Sequence, residues 1–266
     1  MVAVLELIVK WSFEYLTSRD HREDDAGVAD RQAKDALYDA LAEVAKALAS
    51  GRRAEIVELL AQSDRSVEEI ASEIGQTVAN TSHHLRAMAR AGLVRTRREG
   101  TRIYYGLASE RVAELWAAMR DVAAVHVAAV TTLAGSYLGE RHGIDFIDRD
   151  ELVDRLPSGS LVLLDVRPTV EFAAGHIPGA RSVPMDQLEH ALPRLPKRSD
   201  IVAYCRGPFC VYADDAVREL LRRGYRARRL VDGFPEWRRA GLPVETGEGS
   251  DIVTTTGMSR SKRASA

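Results

Sequence analysis

The chain has 266 residues, 45% of them hydrophobic and 29% charged, with a formal net charge of −2. That is enough apolar material for real cores, which excludes wholesale disorder and fibrous or collagen-like classes, and the length favours two ordinary domains. The near-neutral total excludes binding of a polyanion by bulk charge, so any such partner has to be met by a local patch.

In chain order, residues 1–30 read as an arm: an apolar-rich opening passes into the charged run from Ser18 to Gly27, which has no core-forming residues. Glu6, Lys10 and Glu14 interrupt the opening, so it falls short of the ~18–20 apolar residues that cross a bilayer. With no basic start and no small-residue cleavage site it does not read as a signal peptide, and a cytoplasmic protein with no membrane partner is expected. The only two cysteines are Cys205 and Cys210, too few for a disulfide framework. In a reducing compartment two thiols so close together suggest chemistry instead.

Residues 31–138 are expected to form the first domain. Ala36, Leu37, Leu41, Val44, Ala45 and Leu48 have helical spacing, ended by Ser50-Gly51, and Ile56, Val57, Leu59 and Leu60 continue in a second helix. Ser66 to Glu69 spells a capping box for a third helix with Ile70, Ala71 and Ile74 on its buried face, and Gly75 ends it. A fourth helix follows over Thr77 to Ala91, with Val78, Leu85 and Met88 facing inward. A short helix, a tight turn and a polar, basic helix spell a helix-turn-helix, whose second helix fits a major groove. Leu93–Arg97 and Arg102–Leu107 then read as the two strands of a wing. Between His84 and Arg102 six arginines face the single acid Glu99, a basic footprint inside a neutral chain.

Asn80, Thr81, Ser82, His83 and His84 are the candidates to face base edges, and Arg86, Arg90, Arg97, Arg98 and Arg102 those to meet phosphate or the minor groove. The alternative is a solvated polar face with no ligand; the agreement of helix pair, wing and basic patch favours DNA. His83 and His84 occupy neighbouring helix positions about 100° apart, so they do not clasp one ion, and no metal or other cofactor is expected. A last long helix carries Val112, Trp116, Met119, Ala123, His126, Val130, Leu133 and Tyr137 as one stripe, suited either to a dimer seam or to the domain's own core.

The stretch Ser82-His83-His84-Leu85-Arg86-Ala87-Met88-Ala89-Arg90-Ala91-Gly92-Leu93-Val94 resembles the recognition-helix signature of ArsR-type winged-helix regulators. The resemblance implies a homodimer that sets two recognition helices in successive major grooves of a double-stranded DNA operator. Many members sense metals through cysteines in the third helix or Asp/His clusters in the last. This chain departs from that, having no cysteine before Cys205 and only Asp121 and His126 on the last helix.

Residues 143–245 change to short aliphatic runs alternating with helical text, an α/β domain with a central parallel sheet. The strand Ile201-Val202-Ala203-Tyr204 delivers Cys205 to its C-terminal end, followed by Arg206-Gly207-Pro208-Phe209-Cys210 and a helix from Val211. Loop amides and the helix N-terminus converge there on the Cys205 sulfur, which favours a thiolate, with Arg206 as an added fixed charge. Cys210 either packs at the first helical turn or attacks a modified Cys205 to close a disulfide or polysulfide. The alternative for Cys205 is a buried structural thiol, which its placement at a strand end and helix start disfavours. Phosphatase chemistry is disfavoured, because Val211 stands where a Cys-x5-Arg loop needs arginine.

Leu164-Asp165-Val166-Arg167-Pro168, Glu171-Phe172, Gly175–Ala180, Gly233–Trp237 and Gly241–Val244 resemble, in order, the flanking motifs of a rhodanese domain. The resemblance implies that Cys205 takes a sulfane sulfur from a donor such as thiosulfate or polysulfide, becomes a persulfide and passes the sulfur on. It makes Asp165, Arg167 and His176 scaffold rather than catalysts. Asp232 departs from the pattern, where a second glycine is common. The candidate catalytic set is Cys205, Arg206 and Cys210, and the Ser/Thr/Gly-rich end, residues 246–266, reads as a disordered tail. The function expected is an ArsR-type DNA-binding regulator that senses or handles sulfane sulfur. The alternative is a sulfurtransferase whose DNA-binding domain only regulates its own expression.

Overall fold

The computed structural model describes residues 31–139 and 141–247; the expected arm over residues 1–30 and all but the start of the expected tail lie outside them. The chain divides into two compact units, Met1–Glu43 and Val44–Ala266. Within the first, the described residues are the opening turns of helix α1, Arg31–Leu48, where Arg31 and Asp35 pair at 3.0 Å one turn apart.

The second unit opens on a winged helix. Helix α2 (Gly51–Leu60) is followed by the two-residue strand β1 (Arg65–Ser66) and helix α3 (Val67–Glu73). The capping box is formed: Glu69 N donates to Ser66 Oγ at 3.3 Å and Ser66 N to the Glu69 carboxylate at 2.8 Å, so two orphan amides of the helix start are satisfied reciprocally. Gly75 turns the chain at φ +61°, a conformation that side-chain-bearing residues rarely adopt. Helix α4 (Val78–Arg90) then starts on Thr77, whose side chain accepts from Asn80 N. Strands β2 (Val94–Glu99) and β3 (Arg102–Leu107) form the wing, with β1 added on the other side of β3 in the order β1-β3-β2. Ile56, Ile70, Leu85 and Met88 are fully buried in one shared core.

Two expectations fail here. Val78 is 44% exposed rather than inward-facing, because it sits in the first turn of α4, before the helix reaches the core. The single long last helix is instead two, α5 (Glu110–His126) and α6 (Ala128–Leu138), bent by 102° at Val127. The bend divides the expected stripe: Val112 is buried, whereas Met119, His126, Leu133 and Tyr137 are exposed. No single helix among the described residues is long and apolar enough to cross a membrane, although this bent pair passes by length and composition.

The remainder is a doubly covered parallel sheet. Strands β4 (Asp145–Ile147), β5 (Leu161–Asp165), β6 (Arg181–Ser182), β7 (Asp200–Tyr204) and β8 (Arg226–Leu230) form a five-stranded sheet ordered β4-β8-β7-β5-β6, all pairs parallel. Helices α7 (Arg149–Arg155), α8 (Thr169–Ala174), α9 (Leu188–Ala191), α10 (Val211–Arg222) and α11 (Phe234–Arg239) connect and cover it. β7 is central and reads as a continuous apolar run because both of its faces are buried. Ile201 and Ala203 enter one core cluster, while Val202 and Tyr204 enter the other.

Candidate functional site

The winged helix presents a basic surface. Asn80, His83, Arg86 and Arg90 on α4 and Arg97, Arg98 and Arg102 on the wing are exposed, and Ser82 and His84 are half-buried. Thr81 does not join them. It is fully buried, so its side chain faces the core and offers nothing to a base edge; one position among neighbouring polar residues must point inward as the helix turns. His84 has its pKa held below the ordinary value, first by partial burial and then by the charge of Arg53. Arg95 is tied by both terminal nitrogens to Asp64 at 3.1 Å, and Arg97 pairs with Glu99 and lies 5.3 Å over the Tyr104 ring. These exposed pairs are weak.

The sulfur-bearing loop follows β7 at the C-terminal edge of the sheet, where ligands of open α/β sheets gather. Cys205 is buried and Cys210, the N-cap of α10, half-buried. Their sulfurs are joined, with Cα atoms 6.3 Å apart. The pair is thus in its disulfide form, the intraloop closure that was one of the two readings of Cys210, and the thiolate expected at Cys205 belongs to the reduced pair.

Four loop carbonyls accept from donors outside the loop, and that of Gly207 accepts also from Cys210 N at 3.1 Å. The Cys205 carbonyl accepts from Phe234 N at 3.0 Å, the Arg206 carbonyl from Gln62 Nε2 at 3.4 Å, and the Gly207 and Pro208 carbonyls from Arg229 Nη2 at 3.1 and 3.2 Å. Arg141 also donates to Pro208 at 3.0 Å. These bonds fix the loop against the N-terminus of α10, where the helix end favours negative charge on sulfur. Gly233 permits this placement, since a Cβ there would overlap the Gly207 amide.

Arg206 departs from its expected geometry. Its guanidinium is not spare charge for the loop: it grips Glu171 through Nε at 3.0 Å to both oxygens and reaches Glu73 at 3.0 Å. Desolvation opposes its charge, but the two carboxylates overcome that and raise its pKa above the ordinary value. Arg167 and Asp165 are fully buried and pair with each other, and Arg167 Nη1 donates to Gln62 at 3.0 Å. His176 stacks on Phe172 at 3.7 Å, centroid to centroid. Asp232 pairs with Arg149 at 3.2 Å. A cavity of about 310 Å3 opens on the loop from Arg206 to Cys210, and its opposite wall is the winged helix: Glu55, Glu58 and Leu59 of α2, Glu73 of α3, and Arg120 of α5.

Several residues that hold this site went unmarked in the sequence. Asp214 is fully buried and is held by Arg229 at 2.8 Å and Arg141 at 2.7 Å. A signal was present, because Asp214 falls on the same helix face as Ala213, Val217 and Leu220, and an acid on an apolar face calls for a partner. Gln62, Glu73 and Arg120 act across the boundary between the two domains, and no local pattern distinguishes them.

A winged helix with an exposed basic face, followed by a parallel-sheet domain that presents a cysteine loop at its strand ends, defines a DNA-binding regulator with a thiol-bearing second domain. Residues 50–96 match the bacterial regulatory protein, arsR family, and residues 148–240 the rhodanese-like domain family. The HTH-type transcriptional regulator Rv0324 of Mycobacterium tuberculosis is 49% identical over 222 residues, which is 84% of this chain and 96% of that protein. The chain belongs to the ArsR-type helix-turn-helix transcriptional regulators that carry a rhodanese-like domain. A sulfurtransferase of Allochromatium vinosum is 37% identical over 108 residues, 40% of this chain and 99% of that protein. The homodimeric winged helix-turn-helix domain of a Mycobacterium bovis protein, solved in solution, is 50% identical at a TM-score of 0.36 and covers 39% of this chain and 94% of its own.

Proposed function

We propose that this regulator binds its DNA operator as a homodimer and that the sulfur state of the Cys205–Cys210 pair sets its affinity. The carrying observation is the cavity over the cysteine loop, because its far wall is built from the helices of the winged helix. A change at the sulfur is therefore next to the DNA-binding domain. In this reading residues 31–138 bind DNA and pair the protomers, and residues 143–245 sense sulfur in the cytoplasm. The exposed apolar residues Leu115, Met119, Val122 and Val125 on α5 favour pairing of protomers through that helix.

With the pair reduced, the Cys205 thiolate attacks the outer sulfur of a persulfide RS–SH. A new S–S bond forms at Cys205, the donor's S–S bond breaks, and RS⁻ leaves. The Cys210 thiolate then attacks Cys205 Sγ, forming the Cys205–Cys210 bond and expelling HS⁻. Sulfane sulfur is thus reduced to sulfide as the pair is oxidised. The N-terminus of α10 stabilises the anionic sulfur at each stage, and Arg141, Arg229 and Gln62 hold the loop rigid through its carbonyls. Operator titration of the reduced and the polysulfide-treated protein tests the reading, and equal affinities would overturn it. The strand-end placement of Cys205 also favours sulfurtransferase turnover, which appearance of sulfite or thiocyanate with thiosulfate and a thiol or cyanide acceptor would reveal.

A further inference from the structure

Glu171 is fully buried and accepts from two arginines of different origin. Arg65, 5% exposed, comes from β1 and reaches it at 2.5 Å; Arg206 comes from the cysteine loop. β1 is not an isolated segment, because Arg65 pairs with Tyr105 of the wing strand β3. Arg206 also reaches Glu73, the last residue of α3, the first helix of the helix-turn-helix. Gln62, just before β1, bonds the Arg206 carbonyl at one end of its amide and receives Arg167 at the other. The loop therefore touches the helix pair directly, through Arg206 and Glu73, and reaches the wing sheet by way of Glu171, which Arg65 of β1 shares.

We propose that Arg206 is the residue through which the sulfur state is transmitted, with Glu171 as its fixed anchor and Glu73 as the contact that is made or lost. This rests on the sensing function proposed above and names its regulation. In the disulfide state the loop sulfurs are neutral, and the Arg206 charge is divided between two carboxylates. Opening the Cys205–Cys210 bond frees the loop that carries Arg206 and leaves a thiolate or persulfide anion one residue along the chain. A guanidinium that shifts with the loop cannot keep its fork on both carboxylates in one geometry. Glu171 has no solvent to retreat into and an ion pair lost there is costly. Glu73, with 30% of its side chain exposed, rehydrates at little cost. The weakest partner is therefore released, and it is the partner that belongs to the helix-turn-helix.

The test is operator affinity of the full chain in three states: reduced, persulfide-loaded and disulfide-linked. Wild-type affinity is expected to differ between the anionic and the linked states by about 5- to 150-fold, the usual range of a coupling between two sites. Glu73→Gln is expected to bring that ratio to within about twofold while Cys205 still gains sulfur by mass spectrometry. Glu73→Asp, which keeps the charge on a shorter side chain, should restore part of the ratio. Glu68→Gln removes the same charge from an exposed position of α3 and should leave the ratio at its wild-type value. A ratio unchanged in Glu73→Gln overturns the coupling role while leaving sulfur sensing standing. A wild-type ratio of one overturns both.

Discussion

Arginine plays opposite parts in the two domains. On the wing, Arg97 and Arg98 stand in solvent, and the partners they have are exposed or half-buried groups and a local carbonyl. Around the cysteine loop, Arg167 is fully buried and Arg229 1% exposed, and each is held among carboxylates and backbone carbonyls. The residue type is the same, but its burial decides what it does. An exposed guanidinium is an offer to a phosphate, and a buried one is a bracket that gives a loop its shape.

The largest effect that this contrast predicts is on stability. Arg229→Ala leaves Asp214 without one of its two arginines and frees the Gly207 and Pro208 carbonyls, so it should cost about 3–5 kcal/mol in denaturant unfolding. Arg98→Ala should cost under about 0.5 kcal/mol, the usual range for a surface change. Comparable losses for the two would break the comparison.

Assembly comes next. Met119→Glu introduces a charge on the exposed apolar face of α5 and should yield monomers in sedimentation together with a loss of operator binding. A monomeric wild type at micromolar concentration would remove the premise.

For the cysteines, Cys205→Ser should lose all sulfur labelling. Cys210→Ser should still accept sulfur and hold it longer, since no neighbouring thiol displaces it. Mass spectrometry of the loop peptide over time reads both, and an adduct confined to Cys210 would contradict the assignment.

On the wing, Arg97→Ala or Arg98→Ala should weaken binding to all sequences and lower the salt slope by about one. His83→Ala on α4 should instead alter sequence preference. The smallest effect concerns the donor. Arg120 and Arg206 line the cavity but are committed to Glu236 and to Glu171 and Glu73, so no spare cation there anchors a dianion. A singly charged organic persulfide should therefore load Cys205 faster than the dianion thiosulfate, and equal rates would mean that one of these pairs opens on binding.

Local pattern carried a great deal of this protein. Ser66 and Glu69 spell their capping box at a spacing that the backbone must satisfy, and the apolar run of β7 placed Cys205 at a strand end before any sheet was known. Periodicity misled where a helix ran on in the text but broke in space: α5 and α6 share one apolar spacing, and Val127 still turns the chain. It also placed Thr81 among base-facing residues, because residue type does not state which side of a helix a given position occupies until the core it packs on is known.

The sequence by itself determined the two classes of domain, the order of their elements and the loop that bears the cysteines, because capping, periodicity and strand-end placement are short-range properties. Only the tertiary structure decided where the Arg206 charge goes. Its partners Glu171 and Glu73 lie 35 and 133 residues away in the chain, and a pairing at such separation follows from how two domains bury their charges against each other, which no local spacing encodes.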